Sequence, residues 1–465
     1  MTQPPEHETP DTDQQAAGAS SGDDDGQEIQ VSFHDALRLT LEVHKAGQLD
    51  RAREHYDELL RIGPDDPDLL HFSGILEHQL ENSAEAIVRI NRAIDAVPDN
   101  PDMHANIGNV YLQSGESERA LESFGSALAL QPAHVNAICN QGVALRTLDR
   151  EEEAMAQFSR ALELAPEHGE SWHNRGTGLR MQRRWDEAIE CFEKALQHGG
   201  YLHSTRRATV QVVRILHATE REDEALKVLR DWIARDPEDP VAQHMLAGAT
   251  GENVPKRASK TVVVETFRSF ATDFDEVLER LDYQAPKLVG ERVRALLPAP
   301  NGTLLVCDAG CGTGLVAGYL KPYASRLVGV DLSVSMLTKA RARDLYDELV
   351  EEELTEYFEL HPQRFDVVTS VDTLCYIGAL EEVMVGAAST LKAGGLLCFT
   401  VEKAPADAQL DKGYGLAHHG RYHHVQAYIE TLLAANFAQP QIETVVLRRE
   451  VGEHVTGLLV SAVRS

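Results

Sequence analysis

Positive charge is scarce in this sequence: 44 Lys and Arg stand against 74 Asp and Glu, a formal net charge of −30 over 465 residues. Such a surface repels phosphate backbones within a Debye length of about 10 Å, which argues against a general nucleic-acid binder and leaves only a local basic groove open. Long apolar runs are missing too. No stretch reaches the roughly 20 residues that a membrane-spanning helix needs, and the N-terminus has neither the basic nor the apolar region of a secretory signal. The six cysteines, at 139, 191, 307, 311, 375 and 398, include no C-x-x-C pair. Free buried thiols in a reducing cytoplasm are therefore expected, with no disulfide framework and no metal site. Residues 1–32 hold eight acids and no Lys or Arg. That composition cannot bury enough apolar surface to offset ordering, so an acidic, disordered leader is expected there.

From Phe33 onward the chain repeats. Gly108, Gly142 and Gly176 are 34 residues apart, each followed twelve residues later by alanine (Ala120, Ala154, Ala188) and four further on by phenylalanine (Phe124, Phe158, Phe192). Small residues let two helices approach closely, the aromatic fills the gap between neighbouring pairs, and Pro132 and Pro166 close their repeats. This period and pattern resemble tetratricopeptide repeats. About six repeats and a capping helix are expected over 33–251, then a linker at 252–262. Solenoids of this kind bind protein or peptide partners on the concave face. Asn106, Asn140 and Asn174 are again 34 apart and resemble the asparagine ladder in the repeats of the O-linked N-acetylglucosamine transferases. Their amides would either hold an extended peptide backbone or satisfy their own scaffold.

A second signature begins at Leu305. The apolar run Leu305-Val306-Cys307 ends in Asp308 and reads as a buried parallel strand. Gly310, Gly312 and Gly314 then form a turn, and Leu315–Leu320 is expected to open a helix. Glycine lets backbone approach a ligand closely. The spacing G-x-G-x-G differs from the dinucleotide loop G-x-G-x-x-G, and Asp308 places a carboxylate where a phosphate would be repelled and an ammonium welcomed. Arg326–Asp331 reads as a second apolar strand, ending in an acid able to accept from both ribose hydroxyls. Asp308-x-Gly310-x-Gly312-x-Gly314 followed by Gly329-Val330-Asp331-Leu332-Ser333 resembles the class I S-adenosylmethionine-dependent methyltransferases.

That resemblance implies a multidomain chain: an all-α repeat solenoid, then, over 263–465, an α/β Rossmann-like domain with a seven-stranded sheet ending in an antiparallel pair. Strands are expected at 349–354, 365–371, 396–402, 442–449 and 457–463, with a helix over 425–437. It implies S-adenosylmethionine as cofactor, held by Phe270, Asp308, Ala309, Gly310, Cys311, Gly312, Gly314, Asp331, Leu332, Met336, Glu353, Leu354 and Val371. Glu353, or Glu352 beside it, would take the adenine amine. Phe270 sits on an aromatic amphipathic segment, Phe267–Tyr283, that would either fold over the cofactor or pack on the sheet.

The fourth strand ends at Asp372, close to where a transferred methyl must lie. It lacks the Asn/Asp-Pro-Pro-Tyr/Phe stretch of enzymes that methylate base amines, and no paired-glutamate loop of the arginine-methyltransferase type follows. A second candidate is the expected loop Leu416–His424, with His418, His419, His423, His424 and Arg421. Such a cluster supplies a general base near neutral pH or contacts substrate, lies bland on the surface, or binds a metal; no carboxylate is interleaved and no standard zinc spacing is present. Together with the repeats, Phe270-Ala-x-x-Phe274-Asp275 and Gly420-Arg421-Tyr422 resemble the bacterial tetratricopeptide-repeat methyltransferases. The expected enzyme transfers methyl to N or O of a protein or peptide held by the repeats, or else to a small molecule with the repeats serving assembly. Asp372 and His424 are the expected catalytic groups, and Tyr376, Arg421, His424, Asn106, Asn140 and Asn174 the expected substrate contacts. Neither nucleic acid nor membrane is an expected partner.

Overall fold

The computed structural model describes residues 32–198, 202–268, 275, 278, 281–450 and 453–465; the acidic leader and Phe270 lie outside them. The chain divides into two compact units, one ending at Ala208 and the other running from Thr209 to Ser465.

Helix pairs follow one another in the first unit: α1 (Phe33–Lys45) and α2 (Leu49–Ile62), α3 (Pro67–Gln79) and α4 (Ser83–Ala96), α5 (Pro101–Gln113) and α6 (Ser117–Leu130), α7 (Val135–Thr147) and α8 (Glu151–Leu164), α9 (Gly169–Met181) and α10 (Trp185–His198). The division falls inside α11 (Leu202–Ala218). Asp66 and Asn100 cap α3 and α5 by accepting from first-turn N–H groups, and proline follows each cap at the position whose N–H would be unpaired in any case. Packing fixes the 34-residue period. Phe124, Phe158 and Phe192 are fully buried, as are Ala120, Ala154 and Ala188. Each phenylalanine ring lies over the glycine of its own repeat: a Cβ added at Gly108, Gly142 or Gly176 would meet it at 2.7, 2.6 or 3.0 Å. Here glycine provides space for a ring and no special backbone angle.

The second unit starts with α12 (Glu222–Arg235), α13 (Pro240–Thr250) and α14 (Lys260–Arg268), followed by α15 (Ala285–Leu296). Among the described residues, nine strands make its sheet: β1 (Leu304–Ala309), β2 (Ala324–Asp331), β3 (Glu348–Glu351), β4 (Phe365–Ser370), β5 (Leu391–Lys403), β6 (Tyr414–Leu416), β7 (Tyr422–His424), β8 (Phe437–Glu450) and β9 (Glu453–Arg464). The main order is β3-β2-β1-β4-β5-β9-β8; β1 to β5 are parallel, and β9 runs antiparallel to β5 and β8. This is the expected seven-stranded Rossmann-like arrangement. Val289 and Val293 of α15 pack on one face with Leu320. On the other lie Phe358, Met384, Ile429 and Leu433, from α18 (Leu354–Leu360), α19 (Glu381–Thr390) and α20 (Gln426–Leu433).

Four local expectations change. The helix after the glycine turn, α16 (Ala317–Leu320), lasts one turn before a 3-10 segment at Lys321–Tyr323, where Pro322 cannot supply a helical N–H. The strand placed at 349–354 stops at Glu351, because Glu353 caps α18 with its own carboxylate. Residues 416–424 are no loop: β6 and β7 form an antiparallel hairpin, and β7 adds to the end of β5. Compactness also does not break at 252–262. Lys256 O accepts from Gly378 and Ala379 N–H at 2.9 and 2.8 Å, Ala258 N–H donates to Tyr376 O at 2.9 Å, and Tyr422 Oη donates to Pro255 O at 3.0 Å. The expected linker is stitched to the domain that carries the sheet.

All six cysteines are free and buried, and no helix among the described residues is long and apolar enough to cross a membrane. Gly142→Ala pushes a methyl into the Phe158 ring and is expected to destabilise the first unit by about 1–3 kcal/mol, read from the urea midpoint of its far-UV circular dichroism transition.

Candidate active site

Parallel strands bring the ends of β1, β2 and β4 to one edge, where a cavity of about 590 Å³ opens. That is within the roughly 300–1,000 Å³ of small-molecule sites. The glycine turn forms one wall. Gly310, Gly312 and Gly314 have φ of +75°, +52° and +86°, the left-handed region open to glycine, and a Cβ at Gly310 would fall 2.2 Å from Thr373. Asp331 holds this turn in place: its carboxylate accepts from the Gly312 N–H at 2.9 Å and the Ser333 N–H at 2.9 Å. Burial raises its pKa, and those backbone donors oppose the rise. Beyond the turn, Thr313 Oγ1 donates to Asp275 Oδ1 at 2.6 Å, and Arg343 pairs with the same carboxylate.

Asp308 is the most confined acid. It has no exposed surface, and its carboxylate accepts from Tyr346 Oη at 2.6 Å and Thr369 Oγ1 at 3.3 Å. Burial pushes its pKa up to about 7, against the pull of those two hydroxyls. Among the described residues, its hydrogen-bond partners are these two hydroxyls and no cation opposes the rise.

At the other end of the cavity lies a charge cluster. Asp372 follows β4 with φ of +54°, an angle aspartate adopts more readily than most side chains. Its Oδ2 accepts from Arg448 Nη1 at 2.9 Å, while its Oδ1 is buried without a partner. Arg448, 1% exposed, also pairs with Glu402 and, through Nε at 2.7 Å, with Glu450. Arg421 binds the same two glutamates, at 2.9 Å to Glu402. Three carboxylates thus face two guanidiniums. Burial raises the Asp372 pKa, with Arg448 opposing. Tyr376 stands beside this end, edge-on to Phe267 with ring centroids 5.3 Å apart.

Among the expected site residues, Asp308, Gly310, Cys311, Gly312, Asp331, Leu332, Met336, Glu353, Leu354, Val371, Asp372, Tyr376 and Arg421 line this one cavity. Ala309 and Gly314 shape the turn without lining it. Glu353 is committed elsewhere: Oε1 takes Arg257 at 3.0 Å and Oε2 caps α18, while Glu352 also faces the cavity. His424 is a correction. It is fully buried in β7 with Nε2 on the Gly378 carbonyl at 3.0 Å, burial drives its pKa down to about 4, and it does not line the cavity. His418, His419 and His423 do not line it either, and no group of three or more metal-ligating side chains occurs among the described residues. The asparagine ladder is a second correction. Asn106 Nδ2 meets His71 Nε2 at 2.9 Å, Asn140 donates to Asn109 at 2.8 Å, and Asn174 donates to Cys139 Sγ at 3.4 Å. These amides tie each repeat to its neighbour instead of presenting an open array.

Sequence reasoning missed Arg448, Glu402 and Glu450. β8 carries a register shift between Val446 and Arg448, so Leu447 and Arg448 are both buried in succession. Strict alternation would have sent one of them to solvent.

Residues 307–399 match the family described as methyltransferase domain, and 43–101, 106–168 and 169–199 match tetratricopeptide repeats. The chain is similar to human methyltransferase-like protein 27, 32% identical over 34% of this chain and 63% of that one. It is also similar to a ubiquinone biosynthesis O-methyltransferase of Klebsiella pneumoniae, 30% identical over 20% of this chain and 41% of that one. A solved structure of Pseudomonas aeruginosa pilF superposes with a TM-score of 0.39 at 18% identity, covering 46% of this chain and 96% of that one. The chain thus spans about four- to six-tenths of these two curated relatives.

Arg448→Met strands the buried carboxylates and is expected to destabilise the second unit by about 3–5 kcal/mol. Adding Asp372→Asn, which removes one of those charges, should restore part of the loss in urea unfolding.

Proposed function

We propose that this chain, a tetratricopeptide-repeat protein with a class I methyltransferase domain, is an S-adenosylmethionine-dependent methyltransferase acting on N or O of a protein or peptide recruited by its repeats. The observation that carries the reaction type is Asp308: a buried carboxylate at the cavity wall, with hydroxyl partners and no pairing cation among the described residues. Burying a charge in this way is costly, and a ligand ammonium offsets the cost. The donor set fits the cofactor. Asp308 would hold the amino-acid end, the turn at Gly310–Gly312 would pass close along it, Asp331 would take the ribose with Leu332 and Met336 beside it, and Glu352 or Glu353 with Leu354 would face the adenine.

When bound, S-adenosylmethionine supplies an electrophilic methyl group on a sulfonium. The chain's own part is to position and deprotonate the acceptor. Arg448 fixes Asp372, whose unpartnered Oδ1 accepts a hydrogen bond from the acceptor's N–H or O–H and takes that proton as the new bond forms. Tyr376 and Phe267 flank the acceptor with aromatic surface that keeps water out. Alignment of this kind reaches effective molarities of about 10⁵–10⁸ M.

A small-molecule acceptor is the second reading, favoured by the committed asparagine amides. Labelled methyl transfer into a host-cell lysate separates the two. A discrete labelled protein band supports the peptide reading, and label confined to small molecules removes it.

Two predictions follow from the acids. Asp372→Asn should lower kcat by about 10²–10⁴ with cofactor affinity changed less than threefold, measured by single-turnover transfer and calorimetry. Affinity for S-adenosylhomocysteine, which keeps the ammonium, should be full above pH 7 and fall about tenfold per unit below it, as Asp308 protonates in the free protein. Without ligand this raised pKa favours the fold at low pH and is lost as pH rises through 4–7. The ligand's thermal stabilisation should therefore be larger at pH 8 than at pH 6.

A further inference from the structure

We infer that the methyl acceptor is an alkylamine, received as its ammonium among the rings of Phe267, Tyr283 and Tyr376 and against the unpartnered oxygen of Asp372. This rests on the methyltransferase reading and narrows its acceptor from N or O to an amine nitrogen. All four residues line the one cavity, and they reach it from separate segments. Phe267 belongs to α14, Tyr376 ends a 3-10 turn after β4, and Tyr283 precedes α15. The planes of Phe267 and Tyr376 meet at 65°, a corner and not a stack. Tyr283 N–H donates to Leu278 O at 3.2 Å, and the next N–H, of Gln284, donates to Leu447 O at 2.8 Å. That second bond fixes Tyr283 beside the strand that carries Arg448. Its hydroxyl feels the charges of Asp372 and Arg448. Burial drives the pKa of Tyr283 and of Tyr376 well above the usual phenol value, so both rings stay neutral.

Neutral aromatic rings attract a cation held within about 6 Å of their centroids. The charge of the cluster beside them favours the same ligand. Three carboxylates stand against two guanidiniums, and Arg421 Nε, which lacks an aligned acceptor, still lies 2.9 Å from Glu402. An acceptor carboxylate would add a fourth negative charge to this group. An alcohol would leave the rings without a cation. A guanidinium is the other cationic choice, but its fork wants both oxygens of a carboxylate. Asp372 has already given Oδ2 to Arg448, at 2.9 Å, and only Oδ1 is left. One oxygen and a set of ring faces suit the compact charge of an ammonium.

The step balances. An alkylammonium has an ordinary pKa of about 10.4 and an aspartate of about 3.9, and burial raises that of Asp372 and narrows the gap. One proton passes from the ammonium to Oδ1 and frees the nitrogen lone pair. The nitrogen–carbon bond forms as the carbon–sulfur bond breaks, with the electron pair staying on sulfur. The product is a methylammonium, and Asp372 returns its proton to water.

The test is calorimetry on the full chain with S-adenosylhomocysteine bound, using hexylamine, 1-hexanol and hexanoate as probes. Hexylammonium should bind about tenfold or more tightly than either of the others. Tyr283→Leu, which keeps apolar bulk and removes the ring, should weaken it about fivefold or more, whereas Tyr283→Phe should stay within about twofold. Equal affinity for hexylamine and hexanol, or tighter binding of hexanoate, overturns the proposal without any variant. So does equal binding by the Leu and Phe variants. Labelled transfer in lysate then reads the methylated atom. N-methyl-lysine or a methylated N-terminus in protein supports a protein amine, and a methylated free amine supports the same chemistry on a small molecule. A base-labile methyl ester, a methyl ether or methylarginine overturns it. If S-adenosylhomocysteine binds and the label sits on oxygen, the amine alone is wrong. If S-adenosylhomocysteine does not bind, the methyltransferase reading falls and takes this one with it.

Discussion

The second unit depends on one buried cation. Arg448 joins four segments that sequence keeps far apart: Asp372 after β4, Glu402 on β5, and Glu450 at the end of β8, with Arg421 of the β6–β7 hairpin sharing two of those carboxylates. An isolated guanidinium at 1% exposure would be prohibitive, so the three acids are obligatory rather than decorative. Buried charge networks of this kind gain little net stability and a great deal of geometric definition. Definition is what the proposed methyl transfer would ask of the protein, because little covalent chemistry would fall to the side chains. The surplus carboxylate leaves Asp372 Oδ1 buried without a hydrogen-bond partner.

The two ends of the cavity were unequally legible in the sequence. The glycine-turn end is written in consecutive residues: glycine at alternate positions from Gly310 and an acid closing each of two apolar strands. Local backbone needs dictate those choices, so Asp308, Gly310, Gly312 and Asp331 arrive together once the strands pair. The opposite end is assembled from distant segments, and its central residue is turned inward by a bulge at Val446–Arg448. A bulge leaves no mark in the alternation of apolar and polar residues until the register is known. His424 shows the reverse failure. Four histidines within seven residues look reactive in one dimension, but hairpin pairing sends His424 into the core beneath Gly378.

The repeats teach the same lesson about position against identity. Asn106, Asn140 and Asn174 recur at the repeat period, and that period alone says nothing about which way an amide faces. Each finds a partner one repeat earlier, so the recurrence reflects how repeats lock together.

Where the units divide follows from packing and not from composition. Asn253–Thr261 looks like a linker, with a proline and a basic pair and few apolar residues. Its carbonyls and amides nevertheless bond to the Tyr376–Ala379 segment beside the cavity. Helix α13 continues the attachment: His244 Nε2 donates to the Gly420 carbonyl at 2.9 Å, and Gly248 lies so close to Ala417 that a Cβ would meet its oxygen at 2.5 Å. The residue after Gly420 is Arg421, a member of the charge cluster. A cut at the apparent linker would strip the hairpin of its support and loosen Arg421 along with it. The last helix of the expected repeat region therefore belongs, physically, to the framework of the cavity.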